Sequence, residues 1–67
     1  MRIIDSWPQV DGGRRYLVVA RKHIVLVDAD KNGRLSGTII TVAAGDAKER
    51  RLLQAAFDAV HLEEEEF

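Results

Sequence analysis

The sequence predicts an α+β domain: an antiparallel β-meander of three to four strands followed by one C-terminal α-helix packed on one sheet face. Three observations carry this expectation. Tyr16–Ala20 and Ile24–Val27 are short runs of β-branched, aromatic and aliphatic residues bounded by polar ones. Asn32-Gly33 lies between the apolar runs of His23–Val42, and that dipeptide is the strongest short-range signal for a hairpin. From Ala47 to about Leu62, the apolar residues Leu53, Ala56, Phe57 and Val60 recur at helical spacing, flanked by Leu52 and Ala59.

The elements follow in chain order. Arg2–Val10 contains Ile3, Ile4, Trp7 and Val10 and is a candidate fourth strand. Pro8 has no N–H to donate, which places this segment at a sheet edge or outside the ladder. Trp7 is expected in the core or at an interface because its large apolar area favours burial. Asp11-Gly12-Gly13 signals a turn. Between Tyr16–Ala20 and Ile24–Val27 stands Arg21-Lys22, unfavourable chemistry for a tight primed turn, which wants Gly or Asn at positive φ. A turn there is expected over one long bent strand, and it would set Val18 beside Val25 and Leu17 beside Leu26.

A two-residue loop at Asn32-Gly33 would then pair Val27 with Thr38, Val25 with Ile40 and His23 with Val42, with Leu26 against Ile39 on the opposite face. Side chains alternate along a strand, so this register sorts every residue to one side. Both sides come out apolar. One carries Tyr16, Val18, Val25, Val27, Ile40 and Val42; the other carries Leu17, Val19, Ile24, Leu26 and Ile39. An antiparallel sheet with one wet face normally alternates apolar with polar. Gly45-Asp46 opens the helix, with Asp46 as N-cap and Glu49 three residues on, as in a capping box. One amphipathic helix covers only one face. The second face needs the N-terminal segment or another molecule over it, and large exposed apolar patches mark interaction sites.

Composition bounds the rest. The chain has 67 residues, enough for one domain (residues 1–62) with a short acidic tail (63–67). There is no cysteine, which excludes disulfides, thiolate metal sites and cysteine nucleophiles and fits a reducing compartment. No apolar run approaches the ~20 residues of a membrane span, and a charge at Asp5 interrupts any signal-like start, so a cytoplasmic chain without membrane association is expected. All ten Lys and Arg lie in residues 1–51, which carry +4, whereas residues 52–67 carry −5 through Asp58 and Glu63–Glu66.

No nucleophile, acid/base pair or phosphate-binding loop emerges, so the chain is expected not to be an enzyme and to need no cofactor. The leading expectation is a non-catalytic protein–protein interaction module, a homodimeric small regulatory or inhibitor protein that buries an apolar sheet face against a partner. Its interface residues would be Trp7, Tyr16, Val18, Val25, Val27, Ile40 and Val42. The alternative is a small nucleic-acid-binding regulator that uses Arg14, Arg15, Arg21, Lys22 and Arg34, residues at turns and strand ends where they can neutralise phosphates. A further alternative is weak Ca²⁺ binding. Asp28, Asp30, Asn32 and Ser36, with Gly33 at the turn, resemble the first nine positions of an EF-hand calcium loop. Position 12, where that loop has a bidentate glutamate, is Ile39. Aspartates and asparagines at a hairpin tip also serve to hydrogen-bond their own backbone. His23 and His61 show no metal-binding spacing and are read as structural.

Overall fold

The computed structural model describes residues 1–42 and 45–65, of Glu65 the backbone alone. The order is β1 (Arg2–Pro8), β2 (Arg14–Ala20), β3 (His23–Ala29), β4 (Leu35–Ile39) and α1 (Ala47–Glu65). The strands form one antiparallel sheet in the spatial order β1-β2-β3-β4, and α1 crosses one face of it: an α+β meander with a C-terminal helix. The N-terminal segment is therefore a full strand at the edge beside β2, with Pro8 as its last residue, where the missing N–H breaks no ladder.

The β2–β3 register agrees with the sequence expectation: Val18 faces Val25 and Leu17 faces Leu26. The turn between them is two residues long, and Arg21 takes φ +52° to make it. Positive φ at the first central position is where such turns prefer glycine. Relief of that backbone strain outweighs the extra chain entropy of glycine, so Arg21→Gly is expected to raise stability by about 0.5 kcal/mol. Urea unfolding would show it as a higher midpoint at unchanged slope.

The β3–β4 register differs from the expectation by one residue. Val25 faces Ile39, Leu26 faces Thr38 and Val27 faces Gly37. The physical reason is the loop. The Asp30 carbonyl accepts from the Gly33 N–H at 2.9 Å, and the Asp30 N–H donates to the Arg34 carbonyl at 2.9 Å, so Lys31-Asn32-Gly33 form a three-residue loop. Gly33 alone in it has positive φ, +85°. This is the pattern of a type I turn closed by a glycine bulge, favoured by aspartate at the first position and glycine at the fourth. The Asp30 carboxylate fixes it by accepting from the N–H groups of Asn32 (2.9 Å) and Arg34 (2.8 Å). A one-residue slip exchanges the faces of a strand. Ile39 therefore joins the Val25 side, and Ile40 goes to the other, 59% exposed. The Gln9–Gly13 loop repeats the design: Gly12 N–H donates to the Gln9 carbonyl, Gln9 N–H to the Gly13 carbonyl, and Gly12 has φ +94°.

The core lies between α1 and the sheet face that carries Tyr16, Val18, Val25, Val27, Ala29 and Ile39, all buried with Ala56 and Val60 of the helix. Gly37 lets the helix come close: a Cβ there would lie 2.8 Å from Leu53 Cδ2 and 3.1 Å from Phe57 Cε1. The helix starts as its sequence indicates. Asp46 Oδ1 accepts from the Lys48 N–H at 2.8 Å, and Glu49 Oε2 reaches back to the Gly45 N–H at 2.7 Å. It does not stop near Leu62 but runs to Glu65, so the acidic run starts as helix. The rest of that run, Glu66 with Phe67 after it, lies outside the described residues. Among the described residues no helix is long and apolar enough to cross a membrane.

Candidate functional site

The sheet face away from α1 is the surface with the most unusual composition, and its rows follow from the registers. At one end Trp7, Arg15, Asp28 and Ser36 stand side by side. The middle row is Asp5, Leu17, Leu26 and Thr38. The other end has Arg2, Val19 and Ile24, and Ile40 completes it because its N–H donates to the Ile24 carbonyl at 2.9 Å. Polarity thus falls along the strands, from an ion pair at one end to a row of three aliphatic side chains at the other.

Two local features create this face. The first is the β-bulge in β1: Ile3 faces Val18 and Asp5 faces Leu17, which leaves Ile4 as the extra residue, 50% exposed. Ile3 packs toward the core. Beyond the bulge the alternation is reversed, and Trp7 is carried to the open side, 37% exposed. The second is the β4 slip described above, which adds Ile40. The bulge leaves no trace in the sequence pattern, since it depends on which residue the backbone skips; the slip follows from Asp30 and Gly33 at the two ends of a type I turn.

Arg15 and Asp28 make a bidentate pair on this face, Nε to Oδ1 at 2.6 Å and Nη2 to Oδ2 at 3.2 Å. The hydrogen bonds that Arg15 donates to Asp28, then the Asp28 charge, raise the pKa of the Arg15 guanidinium above its ordinary value. The pair closes the polar end and holds both side chains, while Asp5 and Arg2 stand on β1 at the margin of the middle and far rows. On the helix side, Tyr16 donates to Glu64 Oε1 at 3.3 Å, tying the last turns of α1 to β2. Burial, and next the Glu64 charge, push the Tyr16 phenol upward, so it stays protonated as the donor.

The residues expected at a partner interface are divided by the structure. Tyr16, Val18, Val25 and Val27 lie beneath α1 as core, and Val42 packs against that core at its margin. Only Trp7 and Ile40 reach the open face. The sequence left open which face the helix takes; the fit of Leu53 and Phe57 over the bare Gly37 backbone decides it. The open face therefore uses Leu17, Val19, Ile24 and Leu26 with Ile40 and Trp7.

The basic residues of the nucleic-acid alternative do not form one patch. Arg21 and Lys22 occupy the β2–β3 turn, whereas Arg14, Arg15 and Arg34 lie at the other end of the strands. Arg15 is held by Asp28, and Arg14 donates to Ser6 Oγ at 3.1 and 3.0 Å from the helix side. The residues of the calcium-loop resemblance are also engaged elsewhere. Asp28 pairs with Arg15, and Asp30 holds its own loop. Asn32 sits at the exposed tip, and Ser36 stands beside Asp28 in the strand register. Among the described residues no three His, Cys, Asp or Glu side chains are grouped to hold a metal ion. His23 Nδ1 and the Thr41 hydroxyl are 3.0 Å apart, and that hydroxyl accepts from the Ile24 N–H, ending the ladder.

No family model, curated protein or solved structure matches the chain.

Proposed function

We propose that the chain is a non-catalytic protein–protein interaction module, a small regulatory or inhibitor protein, that buries its open sheet face against a partner, in the simplest case a second copy of itself. One observation carries this reading. The N-terminal segment extends the sheet at its edge instead of folding over it, so Leu17, Val19, Ile24, Leu26 and Ile40 remain without a covering layer among the described residues. Apolar surface costs about 25 cal/mol per Å² in water, and sheets packed face to face, ~10 Å apart, are the ordinary way to remove it. Trp7 at the border supplies the kind of aromatic anchor that dominates interface energetics.

The test is the double substitution Ile24→Lys with Ile40→Lys, two side chains 36% and 59% exposed that stand side by side on the open face and outside the core. The wild-type chain is expected to sediment as an oligomer that persists in molar salt, since screening does not weaken an apolar contact. The double variant, with an unchanged circular-dichroism spectrum, is expected to sediment at half that mass. A wild type that is a clean monomer at high micromolar concentration, or a variant of unchanged mass, overturns the self-association of this face.

A further inference from the structure

The two edges of the sheet are unlike. β1 has a bulge at Ile4 and ends in Pro8, both features that deter the addition of another strand. β4, Leu35-Ser36-Gly37-Thr38-Ile39, has no charge, no proline and an unbroken register with β3. Antiparallel ladders alternate hydrogen-bonded with non-bonded pairs. The bond from Ile40 N–H to the Ile24 carbonyl makes that pair a bonded one, and with it Leu26–Thr38 and Asp28–Ser36. The N–H and C=O groups of Leu35, Gly37 and Ile39 therefore point away from β3. Among the described residues nothing pairs with them. Such a row is a template for strand addition.

The strand also has the symmetry that pairing with a copy of itself requires. A two-fold contact must be complementary to itself. Around Gly37, β4 reads apolar, polar, glycine, polar, apolar in either direction. Antiparallel pairing centred on Gly37 sets Leu35 beside the partner's Ile39 on the helix side and Ser36 beside the partner's Thr38 on the open side. Like meets like in every pair. Above Gly37 stand the half-buried Leu53 and Phe57, which line an open groove along the N-terminal half of α1 together with Asp46, Glu49, Arg50 and Gln54, so apolar surface flanks Gly37 within a groove of mixed polarity.

We infer that a second copy of this chain adds to β4 in that register, making one continuous sheet of twice four strands with both helices on the same side. The contact is separate from burial of the open face and goes beyond it. It also changes what that face offers. A four-stranded face of this strand length covers roughly 400 Å², and the joined face roughly 800 Å², the area a standard interface takes from each partner.

The cysteine-free chain allows a direct test. In this register Ser36 and the partner's Thr38 form a non-hydrogen-bonded pair, whose close Cα atoms suit a disulfide. A mixture of Ser36→Cys and Thr38→Cys chains is expected to cross-link roughly ten-fold faster or more than either chain alone, because pairing raises the local concentration of the matched thiols. The advantage is expected to persist with Ile24→Lys and Ile40→Lys present in both chains, which separates this contact from the open-face one. Equal rates for the mixture and the single variants overturn it. Charge provides the second measurement. In chains that also carry Ile24→Lys and Ile40→Lys, where the open face no longer associates, Ser36→Lys with Thr38→Lys sets like charges opposite each other and is expected to halve the sedimenting mass, whereas Ser36→Lys with Thr38→Glu retains it. Identical masses for these two variants also overturn the inference.

Discussion

Gly13→Ala is expected to cost about 2–4 kcal/mol, most of the stability that a domain of this size has to lose. Gly13 leaves the β1–β2 loop pressed against the start of the β3–β4 loop. A Cβ there would collide with the Ala29 carbonyl oxygen and stand 3.1 Å from Asp30 Cα. Both obstacles are backbone, and no side chain can rotate out of the way. Relief requires Asp30 to move, and Asp30 carries the bonds that define its own loop and hence the β4 register. The substitution therefore acts on two hairpins at once. Urea unfolding would show a loss of midpoint several times larger than for Gly33→Ala, whose Cβ would meet nothing within 4 Å and pays only for its positive φ.

The second large effect is expected at Gly37→Val, at about 2–3 kcal/mol and a fall in melting temperature of roughly 10–20 °C. The obstacle here is different in kind. Leu53 Cδ2, at 2.8 Å from the added Cβ, is the end of a flexible side chain, while Phe57 Cε1 at 3.1 Å belongs to a rigid ring. Gly37→Ala is then expected to cost only about 1 kcal/mol, with Leu53 giving way. Combining Gly37→Ala with Leu53→Ala should cost measurably less than the two single changes summed, since the second removes the obstacle to the first. Strict additivity would mean that the helix does not rest on β4 at this point. Thermal and urea unfolding of the four chains makes the comparison.

These glycines also show how far the sequence could be read. The fold class, the helix with its Asp46/Glu49 start and the β2–β3 register were legible because each rests on local chemistry: an apolar period, a capping residue, a short polar interruption. The β4 register is not fixed by Asn32-Gly33 alone. The informative residue was Asp30, two positions earlier, which favours the first place of a type I turn and fits Gly33 to the fourth. The bulge at Ile4 was not legible, since Ile3-Ile4-Asp5 gives no sign of which residue the ladder omits. That both faces are apolar was legible, and it survived the slip, because Ile39 and Ile40 are equally apolar and simply exchanged sides. Which face the helix takes was not. It turns on the lack of a side chain at Gly37, and a missing side chain gives no signal in a hydrophobic pattern. The Tyr16–Glu64 bond joins residues 48 positions apart and had no local sign at all.

The meander has a consequence in time. Every strand pairs with its neighbour in the chain, across connections of two or three residues. The entropy of closing such loops is small, and chains rich in local contacts fold fast. On a ribosome the sheet can zip up strand by strand as it emerges. Until Ala47–Glu65 follows and docks, however, that sheet is bare on both sides, an adhesive ribbon with an undefended β4 edge. Helix docking is thus the step that ends the period of greatest exposure to misassembly, and slowing it, by lengthening the link after Val42 or weakening the Asp46 cap, should lower the yield of soluble protein more than it lowers the stability of the finished fold.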